Sequence, residues 1–267
     1  FLNADIFKML NYLRARKIQS RIASNGALLK KDIIEKLITD YPDELQISIN
    51  GFSENSYKKI TGSKVMLLDI VKNIKDILAA VKDNRIPLKV FISSVLCKQT
   101  IDEYLDFLKL FSEFNDILTV ELSTLNGALS SDFQSLTNDD FEKVNNIKKY
   151  LEKGKINHYI CEWLNNKDHS KTEILKHYLF PCFASDTFAF VHADGAISQC
   201  CESYYPLGNI KNVENLEKII NSSEYKKLRY YSLSSDLKQI IHKFNTCCFF
   251  CKMYWINKNY FEKLEPY

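Results

Sequence analysis

Through the first 153 residues the apolar positions alternate between helical spacing and the short runs typical of buried strands. In residues 4–15, Ile6, Phe7, Leu10 and Leu13 fall on one helical face. Residues 18–23 then read as a strand closed by Asn25-Gly26, 32–39 as a helix, and 44–49 as a second strand. Ser53 stands where a short helix containing Tyr57 would need its N-cap. Leu67, Ile70, Val71, Ile74, Ile77, Leu78 and Val81 make one stripe on a longer helix. Residues 88–96 predict a third strand. Thr100 and Glu103 have the spacing of a capping box before a helix carrying Ile101, Tyr104, Leu105, Leu108 and Phe111. Residues 117–123 predict a fourth strand, and Thr137 caps a helix with Phe141, Val144, Ile147 and Leu151 inside.

Strands alternating with helices of this length imply βα units around a parallel sheet, an α/β architecture. Ligands of such sheets sit at the C-terminal strand ends. Here those ends are Ser24-Asn25-Gly26, residues 48–51, 93–97 and 123–127, mostly small, polar or glycine. That composition suits a binding rim and an ordinary turn about equally.

Beyond residue 180 the pattern changes and cysteines take over. Residues 188–192 and 196–200 flank Asp194-Gly195 as a β-hairpin, a two-residue turn signal with positive φ at both turn positions. Cys200 then lies at a strand end, and Cys248-Phe249-Phe250-Cys251 forms a knuckle able to present two thiolates to one metal. With Cys182 these make four ligands for zinc or for an iron–sulfur cluster. All-cysteine zinc sites usually use two C-x-x-C knuckles, and this chain has one. Cys201 and Cys247 are adjacent alternatives, whereas Cys97 and Cys161 read as core residues.

Composition narrows the classes further. The chain has 267 residues, is 46% hydrophobic and 26% charged, and can bury a substantial core. A net charge of +3 with interspersed signs gives no case for nucleic acid or an anionic membrane. No apolar run has the length of a membrane span and the start has no signal-peptide pattern, so the eight cysteines are expected in a reducing cytoplasm.

The spacing Cys182-x12-Gly195-x4-Cys200, the stretch Leu207-Gly208-Asn209-Ile210 with a helical segment at 215–229, and the final Cys248-x-x-Cys251 resemble the SPASM/Twitch region of radical SAM enzymes. With no cysteine after Cys251, the resemblance is to the one-cluster Twitch type. Upstream, Ser24-Asn25-Gly26 followed by Leu28-Leu29 resembles the T-N-G-x-L-L after the third strand of the radical SAM barrel. Residues 47–62 (I-S-I-N-G-F-S-E-N-S-Y-K-K-I-T-G) resemble the family's stretch after its fourth strand.

The resemblance implies four βα units of a partial (β/α)6 TIM-like barrel at 1–153 and a linker at 154–180. It implies a small α+β cluster-binding domain with a β-hairpin at 181–267. It assigns Cys182, Cys200, Cys248 and Cys251 to an auxiliary [4Fe–4S] cluster for electron transfer, and Ser48 to the methionine carboxylate of S-adenosylmethionine. Asn25 and Asn50 flank that site; Asn50 replaces the family's usual aspartate, and Thr61 stands where many relatives place an arginine.

Neither the family's C-x-x-x-C-x-x-C nor its G-G-E-P occurs in the sequence. The expectation is therefore a chain lacking the first two βα units, whose full-length protein holds a second [4Fe–4S] cluster and S-adenosylmethionine. Such an enzyme abstracts hydrogen from a peptide or a small-molecule alcohol or sugar, with a flavodoxin- or ferredoxin-like electron donor as partner. The alternative is a non-catalytic zinc or iron–sulfur protein derived from such an enzyme. His192, Asp186, Glu202 and the pairs Tyr204-Tyr205 and Tyr230-Tyr231 are further candidates near the cluster region. Each also suits a solvated or packing position.

Overall fold

The structure is a computed structural model describing residues 3–124, 133–160, 189–200, 206–212 and 216–233. The chain divides into two compact units, Phe1–Asp168 and His169–Tyr267.

In the first unit the helical stripes and apolar runs fold largely where the periodicity places them. Helices α1 (Ile6–Ala15), α2 (Lys31–Thr39), α3 (Glu54–Thr61), α4 (Leu67–Asn84), α5 (Ile101–Lys109) and α6 (Phe141–Lys153) alternate with parallel strands β1 (Arg21–Ser24), β2 (Glu44–Ser48), β3 (Lys89–Leu96) and β4 (Leu118–Thr124). A fifth strand, β5 (Asn157–Ile160), lies in the stretch expected to be linker and pairs with β4. All four pairings are parallel and the sheet order follows the chain, β1-β2-β3-β4-β5.

The register gives this sheet two unlike faces, because side chains alternate along each strand. Leu45, Ile47, Val90, Ile92, Leu118, Val120 and Leu122 share one face and are buried with the apolar stripes of the helices. Asn73 interrupts the α4 stripe, is itself buried, and donates its side-chain N–H to the Gly26 carbonyl at 2.9 Å, fixing the turn after β1. The opposite face carries Arg21, Gln46, Ser48, Phe91, Ser93, Glu121 and Tyr159.

This second face is concave. Arg21 on β1 bonds Glu121 on β4 at 3.0 Å. Arg21 is level with Glu44 and Lys89, and β4's Leu118 is level with Val90, so Glu121 sits four positions beyond Arg21's level. In a flat sheet three strand spacings and four residue rises would separate their backbones by about 19 Å. Two side chains that rise from the sheet meet across that interval only if the sheet curls towards them.

Two local expectations are corrected. Thr100 and Glu103 form no capping box: Thr100 Oγ1 engages Cys97, and the Glu103 carboxylate instead accepts from Ser53 Oγ (2.9 Å) and Ser56 Oγ (2.6 Å). The box forms at α3, where Ser53 and Ser56 cap each other. Thr137 does initiate the turn before α6, with Asp140 as its partner.

In the second unit, β6 (Phe190–Val191), β7 (Ala196–Ser198) and β8 (Gly208–Asn209) make an antiparallel sheet, followed by helices α7 (Leu216–Ile220) and α8 (Ser223–Leu233). Leu228, Tyr225, Ile219 and Ile197 are buried there. Among the described residues no helix is long and apolar enough to cross a membrane.

Two substitutions probe this packing. A Cβ on Gly51 would lie 2.4 Å from the Tyr57 backbone, so Gly51→Ala should cost about 2 kcal/mol or more in urea denaturation. Tyr104 is fully buried; burial pushes its hydroxyl above the usual phenol range, and it faces the Ser94 hydroxyl without a bond of good geometry. Tyr104→Phe should therefore change stability by less than about 1 kcal/mol, whereas Tyr104→Ala should cost about 3–5 kcal/mol.

Candidate functional site

Two separate groups of residues carry the chemistry, one in each unit. In the first, the C-terminal end of β2 delivers Ser48, half-buried on the concave face. Ser48 is level with Ser93 on β3, which is level with Glu121 on β4 and Tyr159 on β5. The two serines stand on adjacent strands, about 4.8 Å apart. Neither hydroxyl makes a hydrogen bond among the described residues. A carboxylate could accept from both.

The neighbouring polar groups are already engaged. Ser24 Oγ accepts from the Gly26 N–H (3.1 Å) and Asn25 Oδ1 from Ala27 N–H (3.1 Å), which shapes the turn around Gly26 at φ +78°. Asn50 Oδ1 accepts from Val95 N–H at 3.1 Å, tying the β2 turn to the end of β3. That leaves the amide N–H groups of Asn25 and Asn50 as donors to a ligand. Thr61 is different: it lies at the end of α3, donates to the Tyr57 carbonyl (2.7 Å) and accepts from Ser63 N–H (3.1 Å). Its hydroxyl has no proton to offer a carboxylate in this conformation.

Deeper on the same face, Arg21 also lies 3.6 Å from Glu44 and 4.8 Å from the centre of the Phe91 ring, which stacks with Tyr159 at 6.2 Å. The sequence reading did not single out this group. Its signal was the alternating polar positions of β2 and β4, which become one surface only once the register is known.

In the second unit the hairpin turn differs from expectation. Gly195 N–H donates to the His192 carbonyl (2.9 Å) and His192 N–H to the Ala196 carbonyl (2.8 Å), a three-residue loop in which only Gly195, at φ +89°, has positive φ. Asp194 accepts from Ala196 N–H through its side chain and keeps negative φ. A second constraint also demands glycine: a Cβ at 195 would lie 2.8 Å from Asn209 Oδ1 on β8. Beside the turn, Ser198 is buried; its hydroxyl donates to the Cys200 carbonyl (2.8 Å) and lies 3.0 Å from His192 Nε2. His192 thus braces the end of β7, two residues before Cys200, and its ring meets Phe190 edge-on at 4.9 Å. Cys200 is half-buried, and Tyr230 is 70% exposed.

Cys182, Cys248 and Cys251 lie outside the described residues, as do Cys201, Cys247, Asp186, Glu202, Tyr204, Tyr205 and Cys161. Among the described residues no group of three or more metal-ligating side chains comes together. The fit to a metal therefore rests on the donor set, four soft thiolates, and on the way the hairpin fixes Cys200. Cys97 is buried against Thr100, as a core residue.

Comparison with known proteins bears on both groups. Residues 182–254 match the SPASM family, described as an iron–sulfur cluster-binding domain. No curated protein matches the chain. Among solved structures, Streptococcus suis SuiB superposes with a TM-score of 0.60 at 18% identity, covering 85% of this chain and 54% of SuiB. SuiB bound to precursor peptide SuiA gives 0.58 at 17% identity, covering 85% of this chain and 53% of that one. Native anSMEcpe with bound AdoMet and Kp18Cys peptide gives 0.52 at 15% identity, covering 85% of this chain and 66% of that one. The chain spans about half the length of the SuiB structures it matches. Residues 182–254 are thus similar to the SPASM iron–sulfur cluster-binding domain, and the chain shares the fold of SuiB and anSMEcpe.

Proposed function

We propose that this chain works as part of a radical SAM enzyme acting on a peptide, with S-adenosylmethionine seated against the concave face. Its carboxylate would accept from Ser48 and Ser93, its amino-acid end flanked by the Asn25 and Asn50 amides. The observation that carries this reading is the pair of level hydroxyls, Ser48 at the end of β2 and Ser93 beside it on β3, neither of which makes a hydrogen bond among the described residues. When bound, S-adenosylmethionine would supply the radical chemistry for hydrogen abstraction, with the electron coming from a reduced [4Fe–4S] cluster. The chain's own contribution is to hold the carboxylate and orient the cofactor on the face where Arg21 pairs with Glu121 and Glu44. The peptide class rests on analogy, since SuiB and anSMEcpe are both known with peptides bound.

The SPASM region would hold one auxiliary [4Fe–4S] cluster through Cys182, Cys200, Cys248 and Cys251, in the one-cluster Twitch manner. Four cysteine ligands close the site to substrate and suit it to electron transfer. Ser198, by holding the Cys200 carbonyl, fixes the backbone from which that thiolate projects. Reduction from a flavodoxin- or ferredoxin-like donor and a cytoplasmic setting go with this chemistry.

One observation favours a second reading, a non-catalytic zinc or iron–sulfur protein: Thr61 spends its hydroxyl on its own helix and leaves the carboxylate without a charged grip.

Binding separates the two. Calorimetric titration of the anaerobically purified full-length protein should show S-adenosylmethionine binding, weakened at least about tenfold by Ser48→Ala, since hydrogen bonds to charged groups contribute about 1.5–3 kcal/mol. No binding by the wild type sinks the enzymatic reading. For the cluster, Cys200→Ala should lower the iron content by about four atoms per chain, the content of one [4Fe–4S] cluster. An unchanged iron content, or stoichiometric zinc in the wild type, contradicts the assignment.

A further inference from the structure

Glu103 sits on the first turn of α5, the helix that follows β3, yet its side chain turns away from its own helix end. Its two oxygens take the protons of Ser53 Oγ (2.9 Å) and Ser56 Oγ (2.6 Å), the second a short charge-assisted bond. Each serine hydroxyl has one proton and two lone pairs. With the proton committed to Glu103, Ser56 Oγ accepts from Phe52 N–H (2.9 Å) and Ser53 N–H (3.0 Å), and Ser53 Oγ accepts from Ser56 N–H (3.2 Å). One carboxylate thereby sets the direction of three backbone bonds in the turn after β2.

That turn has little freedom left. Gly51 passes so close to Tyr57 that no Cβ fits, and Phe52 packs on Tyr104 (4.6 Å) and Phe107 (5.3 Å), both on the helix that carries Glu103. Glu54 reaches the other way, accepting from Leu67 and Leu68 N–H at the start of α4. On the strand side, Ile49 N–H donates to the Ser93 carbonyl (2.9 Å) and Asn50 accepts from Val95 N–H. The segment joining Ser48 to α3 is thus held to β3 at one end and to α5 at the other.

We propose that Glu103 is a positioning residue for the cofactor's amino-acid end: by orienting Ser53 and Ser56 it preforms the turn that aims Ser48 and Asn50. This rests on the S-adenosylmethionine reading above. Glu103 touches no ligand itself. Its influence is therefore confined to the carboxylate end of the site, not the adenosine end.

The test compares two ligands by equilibrium binding to the full-length, anaerobically reconstituted protein. S-adenosylmethionine carries the amino-acid chain on a sulfonium, whereas 5′-methylthioadenosine keeps the adenosine and the S-methyl group, as a neutral thioether, but lacks that chain. Glu103→Ala should weaken S-adenosylmethionine about tenfold and 5′-methylthioadenosine less than about twofold, the size expected when a binding group is displaced by a fraction of an ångström. Glu103→Gln preserves volume and one acceptor oxygen, folds where the alanine variant fails, and should fall between wild type and alanine. Amide exchange across residues 49–57 should quicken in both. Equal affinity for S-adenosylmethionine in wild type and variants overturns the assignment. So does equal weakening of both ligands, which would make Glu103 a purely structural residue. A wild type that binds neither ligand removes the site reading beneath it.

Discussion

The register of the parallel sheet is the constraint on which the rest depends. Because successive residues project to opposite faces, aligning Leu45 with Val90 and Ile47 with Ile92 under the helices also aligns Ser48 with Ser93 on the other side. Burial of the apolar face is worth about 25 cal/mol for each Å² removed from water. A one-residue slip would expose that face and bury the serines, so the core sets the site's geometry. The Arg21–Glu121 pair adds curvature: it spans strands that a flat sheet would hold apart, and it leaves Arg21, Glu44 and Glu121 partnered on the concave face. A carboxylate arriving at the strand ends meets neutral hydroxyls and amides at the rim, and the nearest charges already have partners.

The second unit uses a smaller version of the same logic. Gly195 is required twice, by its positive φ and by the approach of Asn209. The first condition turns the hairpin; the second docks β8 against it, so that three short strands form a platform where two would be marginal. Cys200 leaves that platform with its carbonyl bonded to Ser198, which itself leans on His192. The backbone that carries this thiolate is thereby held in place before a metal binds.

Much of the fold was legible in the sequence because long amphipathic stripes such as Leu67–Val81 encode a helix and its buried face at once. The SPASM spacing was legible for a related reason: Gly195 marks a backbone need that no other residue meets without strain. What escaped the sequence were features decided by distant partners. Strand β5, Asn-His-Tyr-Ile, has half-exposed side chains and no apolar run, and is a strand because β4 offers it an edge. Glu103 has the local spacing to cap with Thr100, but two serines fifty residues earlier in the chain claim its oxygens and Cys97 claims Thr100. The Asp194-Gly195 signal was right about the hairpin and wrong about its loop, since type I with a following left-handed glycine serves the same pair of residues. The polar face could not be assembled from the sequence at all, because Arg21, Phe91, Glu121 and Tyr159 share it only through register.

A structure of the full-length protein with S-adenosylmethionine bound tests the central claim most directly. It should show the methionine carboxylate within hydrogen-bonding distance of Ser48 Oγ, with Ser93 alongside and the turn at residues 49–53 unchanged. A methionine moiety seated away from Ser48 and Ser93, with both serine hydroxyls facing only water, would contradict it.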